Sequence, residues 1–214
     1  MQQPANTIAA IDVSAIQGSS IDWDQVSDAG YSHVFVEVGI GNDSPNGDRA
    51  SQVTGALSGG LSVQVYDFCY PLPSDGVHQG RDPVAQATLF LQEAANLGLD
   101  PQQPVVLDVE WPKLGDMAKW GDNASFVRSW LLACLAEIER VTGVTPWIYG
   151  SPSFLMAIGC ASEPSFARYK LWLADWGSTP TVPAPWTDWT AWQFSATGSV
   201  PGINGAVDLS WVRT

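Results

Sequence analysis

Pro104-Val-Val-Leu-Asp-Val-Glu110 is apolar and β-branched until it ends in two acids. A central strand of a parallel sheet reads this way, because both its faces are covered. Side chains alternate along a strand, so Asp108 and Glu110 point to one side, roughly 6.6 Å apart at Cα for a rise of about 3.3 Å per residue. Two acids entering a buried strand need a reason beyond packing.

Similar runs recur on either side. Upstream lie Ile8–Val13, His33–Val38 and Leu61–Phe68. Downstream lie Pro146–Tyr149, Lys170–Asp175, Thr190–Phe194 and Gly205–Asp208. Helical spacing separates the early ones. Trp23, Val26 and Ala29 mark a short helix stopped by Gly30. Ala50, Val53, Ala56 and Leu57 mark another, ended by Gly59-Gly60. A third starts at Asp82-Pro83, with proline in its first turn, and stops near Gly98. The longest runs from Asn123 to Val141 with Phe126, Val127, Trp130, Leu131, Cys134, Leu135 and Ile138 on one face. Alternating strands and helices predict an α/β fold. Seven or eight strands in 214 residues predict a single-domain, irregular, TIM-like (β/α) barrel, helix-poor in its second half. The domain spans 1–214 with a core over about 8–212, and no separate wall-binding domain is expected. The Pro-rich Thr179–Pro185 stretch reads as a rigid loop.

Composition narrows the partners. There are 22 Asp+Glu against 9 Lys+Arg, a formal net charge of −13. Phosphate backbones and anionic membranes want clustered positive charge, so nucleic acid is not expected as a partner. No stretch approaches the roughly 20 apolar residues of a membrane span, so no membrane insertion is expected. The three cysteines, Cys69, Cys134 and Cys160, are too few for a disulfide framework, although one bridge stays open; Cys69 and Cys134 read as core. With no CxxC and only His33 and His78, no metal site is expected.

Several acids share one position, the C-terminal end of an expected strand: Asp12, Asp108 with Glu110, Asp175 and Asp208. In a parallel barrel these ends converge on the face where active sites sit. Crowded carboxyls raise one another's pKa, leaving a protonated acid beside ionised ones, the equipment for cleaving a glycosidic bond. A strand-end Asp also often caps the next helix, a reading open for Asp12 and Asp208. Glu37 and Asp67 read as surface or rim residues. Tyr66, Phe68, Tyr149, Trp176 and Trp192 lie near the acidic face and suit sugar rings, whereas Trp130 and Trp147 fit the core by spacing.

The chain resembles the family 25 glycoside hydrolases, the Chalaropsis-type lysozymes or N-acetylmuramidases, from about Ile8 to Val212. The carriers are Ile11-Asp-Val-Ser14 with Gln17-Gly18, Ile21-Asp-Trp23, Ala29-Gly30, Tyr66-Asp-Phe68 and Leu107-Asp-Val-Glu110. Further along come Ile148-Tyr149, Leu171-Trp-Leu-Ala174 with Trp176, Ala191–Gly198 and Gly205-Ala-Val-Asp208. The resemblance implies hydrolysis of the β-1,4 bond between N-acetylmuramic acid and N-acetylglucosamine in peptidoglycan, without a metal or organic cofactor. It implies Glu110 as general acid, with Asp108, Asp12 and Asp208 in the same cleft. Tyr66, Phe68, Tyr149, Asp175, Trp176 and Gln193 are the expected substrate contacts. Two features depart from the family pattern. Ile16 stands where an aromatic is common, and Glu37-Val-Gly-Ile-Gly41 replaces a Lys-Ala-Thr-Glu-Gly-like segment. Glu37 thus takes the lysine position and Ile40 the acidic one.

Two other readings remain: a non-catalytic glycan-binding protein on the same barrel, and a glycosidase of other specificity such as a chitinase. Chitinases carry a longer acidic run before the Asp-x-Glu motif, where this chain has Val105-Val-Leu107. The start, Met1–Thr7, has neither a basic nor an apolar signal region. A phage-encoded enzyme released through a membrane lesion or carried on the virion, and a secreted enzyme with its signal removed, both fit action on the wall. A monomer is expected.

Overall fold

A computed structural model of the protein describes residues 2–41, 44–71, 82–110 and 124–214. Nine strands form one sheet: β1 (Thr7–Val13), β2 (Tyr31–Ile40), β3 (Ser44–Pro45), β4 (Ser62–Phe68), β5 (Val106–Asp108), β6 (Trp147–Gly150), β7 (Lys170–Ala174), β8 (Ala191–Gly198) and β9 (Val207–Arg213). They lie in the order β1-β9-β8-β7-β6-β5-β4-β2-β3, and β1 also pairs with β2. That pairing closes eight strands into a barrel, with the two-residue β3 folded back on the end of β2. Apart from β3, which is antiparallel to β2, neighbours from β1 through β8 pair in parallel, whereas β9 runs antiparallel to both β8 and β1.

Four helices sit where the spacing puts them, α1 (Trp23–Asp28), α2 (Arg49–Ser58), α3 (Pro83–Asn96) and α4 (Ala124–Thr142), and a short α5 (Pro152–Ala157) that the spacing did not mark follows β6. The start expected for α4, Asn123, lies outside the described residues, as does His78. Side chains close the helix ends. Asp22 accepts from the Gln25 N–H at α1, Asp82 from the Val84 and Ala85 N–H at α3, and Ser151 from the Phe154 N–H at α5. Each satisfies a backbone donor that the helix leaves unpaired. After α5 only two 3₁₀ turns precede β7, and a loop containing Thr179–Pro185 joins β7 to β8. Among the described residues the barrel wall after α5 therefore carries no further α-helix, and the second half is helix-poor.

Alternation along the strands divides the apolar residues into two layers. Leu107, Ile148, Leu171 and Leu173 face outward against Phe90, Leu131, Leu135 and Phe154 of the helices. Ala10, Phe35, Tyr66, Val106, Trp147, Tyr149, Trp172, Ala191 and Val212 fill the inside. The small side chains make room for the large ones: the Phe35 and Trp172 rings stack with centroids 3.8 Å apart. Burying each such aromatic contributes about 1.5–3 kcal/mol. The three cysteines are buried and free, so the one open bridge does not form.

Two expectations about the strands are corrected. The last strand is longer than Gly205–Asp208 and reversed, because a short connection from β8 can only make a hairpin. Glu110 lies two residues beyond the end of β5. The chain nevertheless stays extended there, since the Val109 N–H donates to the Tyr149 carbonyl at 3.0 Å, and Asp108 and Glu110 keep a common side.

Candidate active site

The C-terminal ends of the parallel strands open into a cleft of about 190 Å³. Five carboxyl groups line it, from Asp12 on β1, Glu37 on β2, Asp108 on β5, Glu110 just past β5 and Asp208 on β9. Tyr66, Phe68, Tyr149 and Trp172 supply its aromatic wall, and Ser14, Ile16 and Gln17 of the β1 loop its edge. Asp208 reaches this end because β9 is antiparallel: it stands near the start of its strand, in register with Asp12. Neither aspartate caps a helix.

One amide organises the cluster. Gln193 Nε2 donates to Asp12 Oδ1 at 3.2 Å and Oδ2 at 3.1 Å, and to Asp208 Oδ2 at 3.1 Å. Its Oε1 accepts from Tyr149 Oη and from Trp176 Nε1, each at 3.0 Å. Those two donors fix the orientation of the amide, which presents its N–H groups to both carboxyls. Asp12 and Asp208 also act on each other. Burial first, and then the Asp208 charge, push the Asp12 carboxyl well above its usual range. Asp208 is raised too, chiefly by burial, and the hydrogen bond with Asp12 works against that rise.

Glu110 is pushed up to about 7, chiefly by burial and then by the Asp208 charge. Asp108 is raised by burial, then by Glu110, Asp12, Glu37 and Asp67. Its Oδ1 is buried and has no hydrogen-bond partner among the described residues. Burial also raises the Tyr66 and Tyr149 hydroxyls, which stay protonated as donors.

Glu37 and Asp67 are not surface residues: they are 9% and 3% exposed. Residues 33, 35 and 37 of β2 alternate inward, so Glu37 enters the cleft on the side where His33 and Phe35 enter the barrel. The regular alternation of His33-Val-Phe-Val-Glu37 was the signal that placed it there. A backbone N–H of Ala15 donates to its carboxyl. The loop carrying Ala15 is held by Gln52, whose Nε2 donates to the Ser14 and Gly18 carbonyls, while Asn46 Nδ2 donates to Gln52 Oε1 and the Glu37 carbonyl. Asp67 points outward, where Gln86 Nε2 donates to its Oδ2 at 2.5 Å.

Two further expected contacts, Trp176 and Asp175, and the neighbouring aromatic Trp192 are not among the residues lining the cleft. Trp176 stands at the mouth, 64% exposed. Asp175 is turned into its own loop, its Oδ2 accepting from the Thr181 N–H at 2.7 Å, and it does not line the cleft. Trp192 packs in the outer layer, its Nε1 donating to the Asp175 carbonyl. A larger cavity of about 520 Å³ lies at the opposite end of the barrel, against Val65, Leu91, Ile138 and Val141. Asp100 is its single ionisable lining residue, so it offers no acid–base chemistry.

A closed barrel with coupled carboxyls at the C-terminal rim, one of them protonated near neutral pH, defines the glycoside hydrolase class. Comparison with known proteins narrows this. The sequence profile of glycosyl hydrolases family 25 matches residues 11–203, and the chain belongs to that family. It is 32% identical to lysozyme M1 of Streptomyces globisporus, over 96% of this chain and 68% of that protein. It is 27% identical to an N,O-diacetylmuramidase of Chalaropsis sp., over 94% and 96%. The solved bacterial lysozyme of Streptomyces coelicolor superposes with a TM-score of 0.83 at 31% identity, covering 99% of this chain and 94% of that one. The protein is a glycoside hydrolase of the lysozyme type, a peptidoglycan hydrolase.

Proposed function

We propose that the protein cleaves the β-1,4 bond between N-acetylmuramic acid and N-acetylglucosamine, with Glu110 as general acid. The observation that carries this is the Glu110 carboxyl, held protonated up to about pH 7 by burial and by the neighbouring Asp208 charge. A protonated carboxyl can give its proton to the leaving glycosidic oxygen as the bond breaks. The positive charge that then develops on the sugar is met by the Asp208 carboxyl, which the Gln193 amide holds in place. Asp108, which lines the cleft and whose buried Oδ1 has no partner among the described residues, is placed to orient a polar group of the substrate. Phe68, Tyr66 and the exposed Trp176 offer ring faces to the glycan. The substrate lies outside the cytoplasm, reached by export or by release through a lysed membrane.

Digestion of purified peptidoglycan, borohydride reduction and mass spectrometry test this. Reduced muramic acid at the new ends is the expected result. Reduced glucosamine ends would assign the other bond, cleavage of chitin alone would make it a chitinase, and binding without any product would make it a glycan-binding protein.

A further inference from the structure

We propose that Glu37 makes the cleft selective for peptidoglycan strands that carry a free amino sugar, a de-N-acetylated glucosamine whose ammonium Glu37 receives. The proposal rests on the peptidoglycan reading above and names the substrate class within it. Five carboxyls line the cleft, and among the described lining residues there is no lysine, arginine or histidine. A neutral acetamide brings no charge to such a site, whereas an ammonium brings three donors and a charge opposite to that of the carboxylates.

The position is built. Glu37 is 9% exposed, the Ala15 N–H holds its carboxyl, and the Asn46–Gln52 amide pair pins the backbone on both sides of it. A carboxylate fixed in this way loses little freedom on meeting a cation. Asp108 provides a second, independent sign of an absent partner, because this buried residue lines the same cleft and its Oδ1 has no hydrogen-bond partner among the described residues. Buried acceptors of this kind are normally satisfied.

The test uses one batch of peptidoglycan rich in de-N-acetylated glucosamine, half of it re-acetylated with acetic anhydride. The full-length enzyme should cleave the amine-bearing half about tenfold faster in kcat/KM, the size of one charge-assisted hydrogen bond. In Glu37→Gln, which keeps shape and removes charge, the ratio should fall to near one. A wild-type ratio of one or less, or an unchanged ratio in Glu37→Gln, overturns the proposal. If the variant does not fold, calorimetry on the wild type replaces it: a chitosan tetramer should bind about tenfold tighter than a chitin tetramer, and equal binding overturns it. Failure of the wild type to cleave either half overturns the peptidoglycan reading instead, and this proposal with it.

Discussion

Asp67 and Asp108 sit on neighbouring strands at nearly equal burial, 3% and 5% exposed, and burial raises both carboxyls. They differ in what they face. Asp67 turns outward to α3 and receives the Gln86 amide. Asp108 turns into the cleft and leaves Oδ1 bare. A buried carboxyl with a neutral partner is a packed residue of the wall, whereas one held without a partner destabilises the empty site and is retained for what binds there. Glu110 belongs with Asp108, and the Asp12–Asp208 pair lies between the two cases, satisfied by Gln193 yet still open to the cleft.

The largest effect should come from Glu110→Gln, which removes the proton donor and keeps the side-chain shape. We expect hydrolysis of peptidoglycan to fall about a thousandfold, with an unchanged circular dichroism spectrum. In the wild type the same group predicts the alkaline limb: activity present below about pH 7 and lost as pH rises through it, because the acid loses its proton. A pH–rate profile still rising above pH 8 would detach Glu110 from that role. Asp108→Asn tests the comparison more sharply. Activity should fall about a hundredfold, while stability near and above neutral pH should rise by about 1 kcal/mol in thermal unfolding, since a raised carboxyl lowers stability as pH climbs through its folded pKa. Loss of both activity and stability would place Asp108 with the structural acids.

The barrel and its acidic rim were legible because both rest on short-range signals. β-Branched runs ended in acids, and helices carried their caps and glycines, at Asp82-Pro83 for example. Two things were not legible in the same way. The direction of β9 depends on which strands it meets, and Asp208 reached the correct end of the barrel through a reversed strand. The role of Trp192 depends on the alternation that puts Gln193 inside, so a neighbour of the cleft in sequence became part of the outer packing. Asp175 failed for a similar reason, since its Thr181 partner lies in a loop whose path no periodicity sets. Glu37 was readable in principle, from the alternation of β2, but a lone acid in an apolar run carries no mark of the side it faces.

The barrel interior offers a contrast of opposite sign. His33 is buried, its Nε2 lacks a partner, and burial lowers it from 6.5 to about 4. A base depressed in the fold contributes stability above pH 6.5 that is lost as pH falls toward 4. This loss should reach about 2 kcal/mol by pH 5. His33→Leu should flatten this acid loss in denaturant titrations at pH 7 and pH 5, and an equal loss in both proteins would move the cause elsewhere.

The smallest effect concerns Asp67 itself. Gln86 Oε1 is buried and has no partner among the described residues, while its Nε2 donates to the Asp67 carboxyl, which burial raises. Asp67→Asn would keep the acceptor for Gln86 Nε2 and add a donor for that orphaned oxygen, closing a reciprocal amide pair. We expect about 1 kcal/mol of added stability at pH 7 and above, shrinking as pH falls and the wild-type carboxyl takes up its own proton. Turnover should be retained, because Asp67 does not line the cleft. A variant stabilised equally at all pH values would credit the amide pair alone, whereas one that loses turnover would show that the wall charge reaches Asp108 strongly enough to belong to the site.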